Sequence, residues 1–258
     1  MRRTRIPEPA DYRSGWQSTE AAQAYERDLH QDGSYGGWTW ELERELLLDI
    51  VERWFPGRRP SYLDFACGTG RIIGLLEDRV GNSVGVDTSP AMLERAQQKL
   101  SRSRLVCGDV TTDPSLLGRP YELITAFRFF LNAGEALRGG VLAALHGVLS
   151  DDGILVFNIH SNRWSLRMPS VLVRRHVMGQ HWIRQLSYRE VRRVLAANGF
   201  AIVELHGCNF LTSKGYRLLP GGIARRIERL LGAARPLRFL AVDLIFVCRK
   251  ASAMTGRR

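Results

Sequence analysis

Apolar positions recur at helical spacing over residues 40–55, where Leu42, Leu46, Leu47, Ile50, Val51 and Trp54 fall on one face. Pro56 and Gly57 stop that helix. Short apolar runs bounded by turn residues then read as strands at 62–65, 82–87, 104–107, 121–127, 154–159, 200–205 and 241–248. Helical stretches at 71–78, 90–100, 132–149 and 187–198 lie between them. Ser187 caps the last of these, with Glu190 completing a capping box, and Ser18 caps an earlier helix over 19–29. Strands alternating with helices imply βαβ units, hence a parallel sheet with right-handed crossovers. Ligands in such sheets bind at the C-terminal strand ends, where strand order reverses.

The run YLDFACGTGR, residues 62–71, is a buried strand that breaks into a glycine turn and opens a helix. Gly68 and Gly70 leave little side chain above the backbone, and a helix N-terminus offers free N–H groups. The dinucleotide fingerprint Gly-x-Gly-x-x-Gly would put its third glycine at Ile73; Gly74 comes one residue late. Asp87 ends the second strand, where an acid beside the turn can accept both hydroxyls of a ribose.

At these residues the chain resembles the class I S-adenosylmethionine (SAM) dependent methyltransferases. Asp64, Gly68 and Gly70 match the family's first motif, Asp87 its second, Gly108-Asp109-Val110 its third and the strand over 121–127 its fourth. The resemblance covers about 38–208 and implies a Rossmann-like, doubly wound α/β fold. Its seven-stranded sheet would be mostly parallel, with helices on both faces and the last strand inserted antiparallel between strands five and six. SAM is the implied cofactor. Ala66, Gly68 and Gly70 would contact its methionine part, and Asp64 would orient the turn or bind the amino group through water. Asp87 would take the ribose, with Thr88 and Met92 beside the adenine. Asp109 and Val110 would read the adenine edge, and Phe127 lies in the strand beside the methyl donor.

At 258 residues and 45% hydrophobic, the chain can form one globular domain over 1–258. It divides into an N-terminal lid segment (1–37), a SAM-binding core (38–160) and a basic acceptor-side half (161–258) with an insertion near 209–240. Tyr12, Tyr25, Tyr35 and Trp38 are candidates for the lid or for fastening it, and DGSYGG at 32–37 reads as a turn. Residues 171–174 and 181–184 could pair as a hairpin. Four separated cysteines read as reduced thiols of a cytoplasmic protein, the N-terminus has no signal-peptide core, and no metal cluster is legible.

The net charge of +11 is unevenly placed: residues 163–258 hold 19 Lys or Arg against four Asp or Glu. That half suits an anionic partner: a phosphorylated or otherwise anionic substrate, nucleic acid or a membrane surface. Residues 222–234 read as a basic amphipathic helix, with Ile223, Ile227, Leu230 and Leu231 as one stripe and Arg225, Arg226 and Arg229 off it. Such a helix either packs on the domain or rests peripherally on a membrane.

Methyl transfer needs orientation and a dry pocket more than a catalytic triad. His160, at the end of strand five, is the positional candidate for a base, and Arg128 could hold an anionic acceptor. Strand four ends in TAFRFFLN, without the Pro-Pro-aromatic signature of amide or exocyclic nitrogen methylation and without a cytosine-attacking cysteine. A small-molecule, glycan or lipid-linked acceptor is expected. An RNA methyltransferase, an NAD(P)-dependent oxidoreductase and a non-catalytic SAM-binding protein stay open as alternatives.

Overall fold

The computed structural model describes residues 14–30, 35–177, 179 and 185–251. In chain order the elements are α1 (Thr19–His30), α2 (Tyr35–Trp54), β1 (Tyr62–Phe65), α3 (Arg71–Leu76), β2 (Ser83–Asp87), α4 (Pro90–Gln97), β3 (Arg104–Cys107) and β4 (Tyr121–Ala126). There follow α5 (Glu135–Val148), β5 (Leu149–Ile159), α6 (Met168–His176), α7 (Tyr188–Ala197), β6 (Phe200–Cys208), α8 (Ser213–Leu218), α9 (Gly221–Ala233) and β7 (Asp243–Lys250).

The seven strands form one sheet in the order β3-β2-β1-β4-β5-β7-β6. All neighbours are parallel except β7, which runs antiparallel to both β5 and β6. Successive strand residues point to opposite faces, and both faces are covered. Leu63, Ile124, Leu155 and Phe246 pack on one side with Val141, Leu142 and Leu145 of α5 and Val191 and Leu195 of α7. Tyr62, Leu123, Val156 and Val247 pack on the other with Leu47, Ile50 and Val51 of α2 and Ile73 of α3. Strand order reverses between β1 and β4, so the C-terminal edge opens a crevice there.

Several expectations are corrected. Tyr35, Gly36 and Gly37 belong to α2, not to a turn; residues 31–34 of that stretch lie outside the described ones. Strand five begins at Leu149 and carries Asp151-Asp152-Gly153 within it, at a register shift against β4. The two aspartates are held there by Lys250 and Arg249 of β7, a long-range pairing that local turn chemistry does not reveal. Residues 171–174 are helical, in α6, because Pro169 starts a helix that the hairpin reading overlooked; 181–184 lie outside the described residues. The apolar stripe of α9 is split. Ala224 and Glu228 are buried and Ile227 and Leu231 half-buried, whereas Ile223 and Leu230, seven residues apart, face outward.

Candidate active site

The turn after β1 is held from below. Asp64 is buried beneath it and accepts from the Ile73 amide at 3.1 Å and from the Thr125 hydroxyl at 2.6 Å. Tyr62 and Thr125 hydroxyls lie 2.6 Å apart, which extends the chain of hydrogen bonds from β1 to β4. Burial pushes the Asp64 carboxyl up to about 7, against these hydrogen bonds and the Arg71 charge. The turn itself is left-handed at Ala66 (φ +54°), Gly68 (φ +54°) and Gly70 (φ +78°). Open space lies where a Cβ of Gly68 would stand; at Gly70 a Cβ would meet Ala96 of α4 at 3.0 Å.

Asp87 sits across from that turn at the end of β2. Its Oδ2 accepts from the Gly68 amide at 2.8 Å and its Oδ1 from the Ser89 amide at 2.9 Å. Burial raises its pKa, with the amides opposing. Ser89 caps α4 by accepting from the Met92 amide and donates from its hydroxyl to the Trp16 carbonyl at 2.6 Å. Gln17 donates to the Thr88 carbonyl at 3.3 Å, so the segment before α1 is tied to the end of β2.

These residues wall a cleft of about 810 Å³, counted out to its open mouth. Of the residues expected to hold the cofactor, Ala66, Gly68, Asp87, Thr88, Met92, Asp109, Val110 and Phe127 line it. Asp64 and Gly70 do not reach it: Asp64 holds the turn from inside, and Gly70 faces α4 because two helices meet there. Asp109 lines the cleft but also accepts from the Thr111 amide and hydroxyl, a local turn of its own. Trp16 lines the cleft as well and was missed, although an aromatic in the expected lid segment was a usable signal.

The acceptor-side residues divide. Trp38 does not line the cleft; it stacks on Tyr216 of α8 at 4.9 Å and fastens α2 to the insertion. The side chains of Tyr25 and Tyr35, and all of Tyr12, lie outside the described ones. Arg128 lines the cleft with a left-handed backbone (φ +63°). Its amide donates to Asn158 Oδ1 at 2.7 Å and its guanidinium to Glu43 at 3.2 Å. Glu43 is fully buried; it also accepts from Asn158 at 2.6 Å and faces Arg71 at 3.5 Å, whose guanidinium lies over the Trp40 ring. This polar cluster was not legible beforehand, since Glu43 reads as one more polar position on α2.

His160, just past β5, is held well below its ordinary pKa by burial and by the charges of Arg128 and Arg71. Its Nδ1 is buried without a hydrogen-bond partner among the described residues. Among the described residues no group of His, Cys, Asp or Glu could hold a metal ion.

A doubly wound sheet with this strand order, an acid ending β2 beside a glycine turn, and an apolar cleft between them define a class I methyltransferase fold. Residues 63–153 match the family described as a methyltransferase domain. It is 26% identical over 113 residues to an uncharacterized methyltransferase of Oceanobacillus iheyensis, covering 44% of this chain and 51% of that one. It is 28% identical over 117 residues to the malonyl-[acyl-carrier protein] O-methyltransferase of Acetivibrio thermocellus, covering 43% and 39%. The chain thus spans about half the length of these curated relatives or less. The crystal structure of magnesium protoporphyrin IX methyltransferase from Synechocystis PCC 6803 with bound S-adenosylhomocysteine shares the fold, with a TM-score of 0.60, 15% identity and coverage of 95% and 100%.

The cleft fits SAM. Each Asp87 oxygen accepts one amide and keeps a lone pair for a ribose hydroxyl. Val86, Met92, Val110 and Phe127 offer apolar surface to a planar base. The space above Gly68 admits a ligand close to the backbone.

Proposed function

We propose that this chain transfers a methyl group from SAM to a small-molecule acceptor bound beside Arg128. The observation that carries the reading is the convergence of Asp87, the left-handed turn at Ala66 and Gly68, and Arg128 on one cleft. Bound SAM supplies a methyl group activated by a sulfonium. Asp87 holds the ribose, the turn leaves room for the methionine part, and Trp16 narrows the mouth. Apolar side chains from Phe65, Val86, Met92, Phe127, Phe129 and Val141 in the cavity wall limit water there, which favours transfer to the acceptor over hydrolysis.

The acceptor class rests on two supports. The relatives named above act, by name, on malonyl-[acyl-carrier protein] and magnesium protoporphyrin IX. Arg128 brings a guanidinium to the cleft wall, which suits an anionic acceptor. A carboxylate acceptor is already ionised at pH 7 and needs no base. His160 does not line the cleft and has its Nδ1 enclosed, so it is not placed to take a proton from an acceptor.

Calorimetry with SAM, S-adenosylhomocysteine and NAD, on the wild type and Asp87→Ala, tests the cofactor. Micromolar binding of the first two, lost in the variant, is expected; binding of NAD alone would overturn the reading. A screen of anionic small molecules with radiolabelled SAM then tests the acceptor.

A further inference from the structure

We propose that the surface formed by α8, α9 and the turns at 164–166 and 235–240 docks on an anionic lipid bilayer. This goes beyond methyl transfer and stands independently of it. The helix α9 is turned so that its acid is inside. Glu228 is buried and accepts from the amides of Asn209, Phe210 and Leu211 and from the Tyr216 hydroxyl. The opposite face presents Ile223, Arg226 and Leu230, at spacings of three and four residues, with no carboxylate among them. A helix that wanted only to cover the domain would bury its leucines; here Leu230 is 65% exposed and Leu218, at the end of α8, is 82% exposed.

The apolar surface continues past α9. The 3₁₀ turn Arg235–Leu240 exposes Leu237 and Phe239, and the Leu166 amide donates to the Leu240 carbonyl at 3.0 Å. Asn162 donates to the Phe239 carbonyl at 2.6 Å, which fixes the next turn alongside. That turn carries Trp164, 63% exposed, and Leu166. Trp at the rim of such a surface suits the headgroup level of a membrane.

Charge decides the partner. Arg217, Arg225, Arg226 and Arg235 are exposed around these apolar residues. Arginines interleaved with exposed Leu, Ile, Phe and Trp fit an anionic bilayer interface, where both kinds of contact are satisfied together. A nucleic acid would use the arginines but leave the aliphatic side chains in water. No described helix is long and apolar enough to cross a membrane, so the mode is lying on the surface. The location adds a reason. The C-terminal ends of β5 and β6 pair with the N-terminal end of β7, as Ile159 with Leu244 and Cys208 with Asp243, so the docking segments leave the same sheet edge as the cleft.

The test is co-sedimentation of the full chain with phosphatidylcholine vesicles, with and without phosphatidylglycerol, at low and high salt. Binding to the anionic vesicles alone, weakened by salt, is expected. Leu218→Glu with Leu230→Glu, and separately Arg225→Glu with Arg226→Glu, should each weaken it roughly tenfold or more. All four side chains are exposed, so SAM binding and thermal melting should match the wild type, which separates lost docking from lost folding. Equal binding to both vesicle types, or none to either, overturns the proposal. So does binding that the leucine pair leaves unchanged while RNA competes it away, which would assign the arginines to nucleic acid.

Discussion

The Gly68 amide donates to Asp87 Oδ2 at 2.8 Å, joining the turn after β1 to the end of β2 across the mouth of the cleft. One carboxylate therefore both holds the turn and faces the ligand. Asp87→Asn keeps much of the shape but loses charge and reverses one donor. Because a hydrogen bond to a charged group contributes about 1.5–3 kcal/mol, calorimetry should show S-adenosylhomocysteine affinity falling at least tenfold. An unchanged affinity would remove Asp87 from the site.

Gly68 and Gly70 should respond differently to alanine. Gly70→Ala forces a left-handed alanine and pushes its Cβ to 3.0 Å from the Ala96 Cβ. Denaturant unfolding should show a loss of about 2–4 kcal/mol. Gly68→Ala meets open space and should lose only about 1–2 kcal/mol of stability, while its Cβ intrudes where ligand binds. Its larger effect should appear in SAM affinity. The reverse ordering would contradict the assignment of the two faces.

Glu43 faces both Arg71 and Arg128. Glu43→Ala should destabilise by about 3–5 kcal/mol in urea, since it strands buried guanidinium charge. Glu43→Gln keeps an acceptor for Asn158 and should cost visibly less. Equal costs would mean that charge is not what the cluster balances.

The sequence made the frame of this site readable and left its acceptor end dark. Asp64, Asp87 and the glycines stand at fixed offsets from strand ends, so the strand pattern and the family resemblance together put Gly68, Asp87, Asp109 and Phe127 along one edge, and all four line the cleft. Glu43, Trp16 and Asn158 gave no such signal. They reach the site from a helix, a leading segment and a strand whose separations in sequence carry no period, and only the packed sheet brings Glu43 to Asn158 115 residues away. The same limit explains the split stripe of α9. Four apolar positions at helical spacing do not reveal that Glu228 will claim the inner face, because its partners at 209–211 come from another element.

Asp64 should couple stability to pH in an unusual direction. Its carboxyl, ordinarily near 3.8, is pushed up to about 7 in the fold. Between those values the folded chain holds a proton that the unfolded chain releases, so this group's contribution declines as pH rises from about 4 to 7 and is flat above. His160, with its Nδ1 enclosed, works oppositely, its contribution being lost as pH falls below the ordinary histidine value. Comparing wild type with Asp64→Asn isolates the first effect. The melting-temperature advantage of the wild type should shrink as pH rises across that window; a constant difference would show Asp64 ionised throughout.

The placement of β7 sets an order of events during synthesis. Both of its edges are used, by β5 and by β6, yet it is the last of these seven strands to leave the ribosome. Until then the nascent sheet stops at β5, and β6 has no neighbour to pair with. The aromatic face of Phe157, later covered by Phe246 at 5.0 Å, stays bare meanwhile. Open edges of this kind invite pairing between chains. A chain stalled before residue 243 should therefore collect chaperones or aggregate, and completion of one short strand closes both gaps at once.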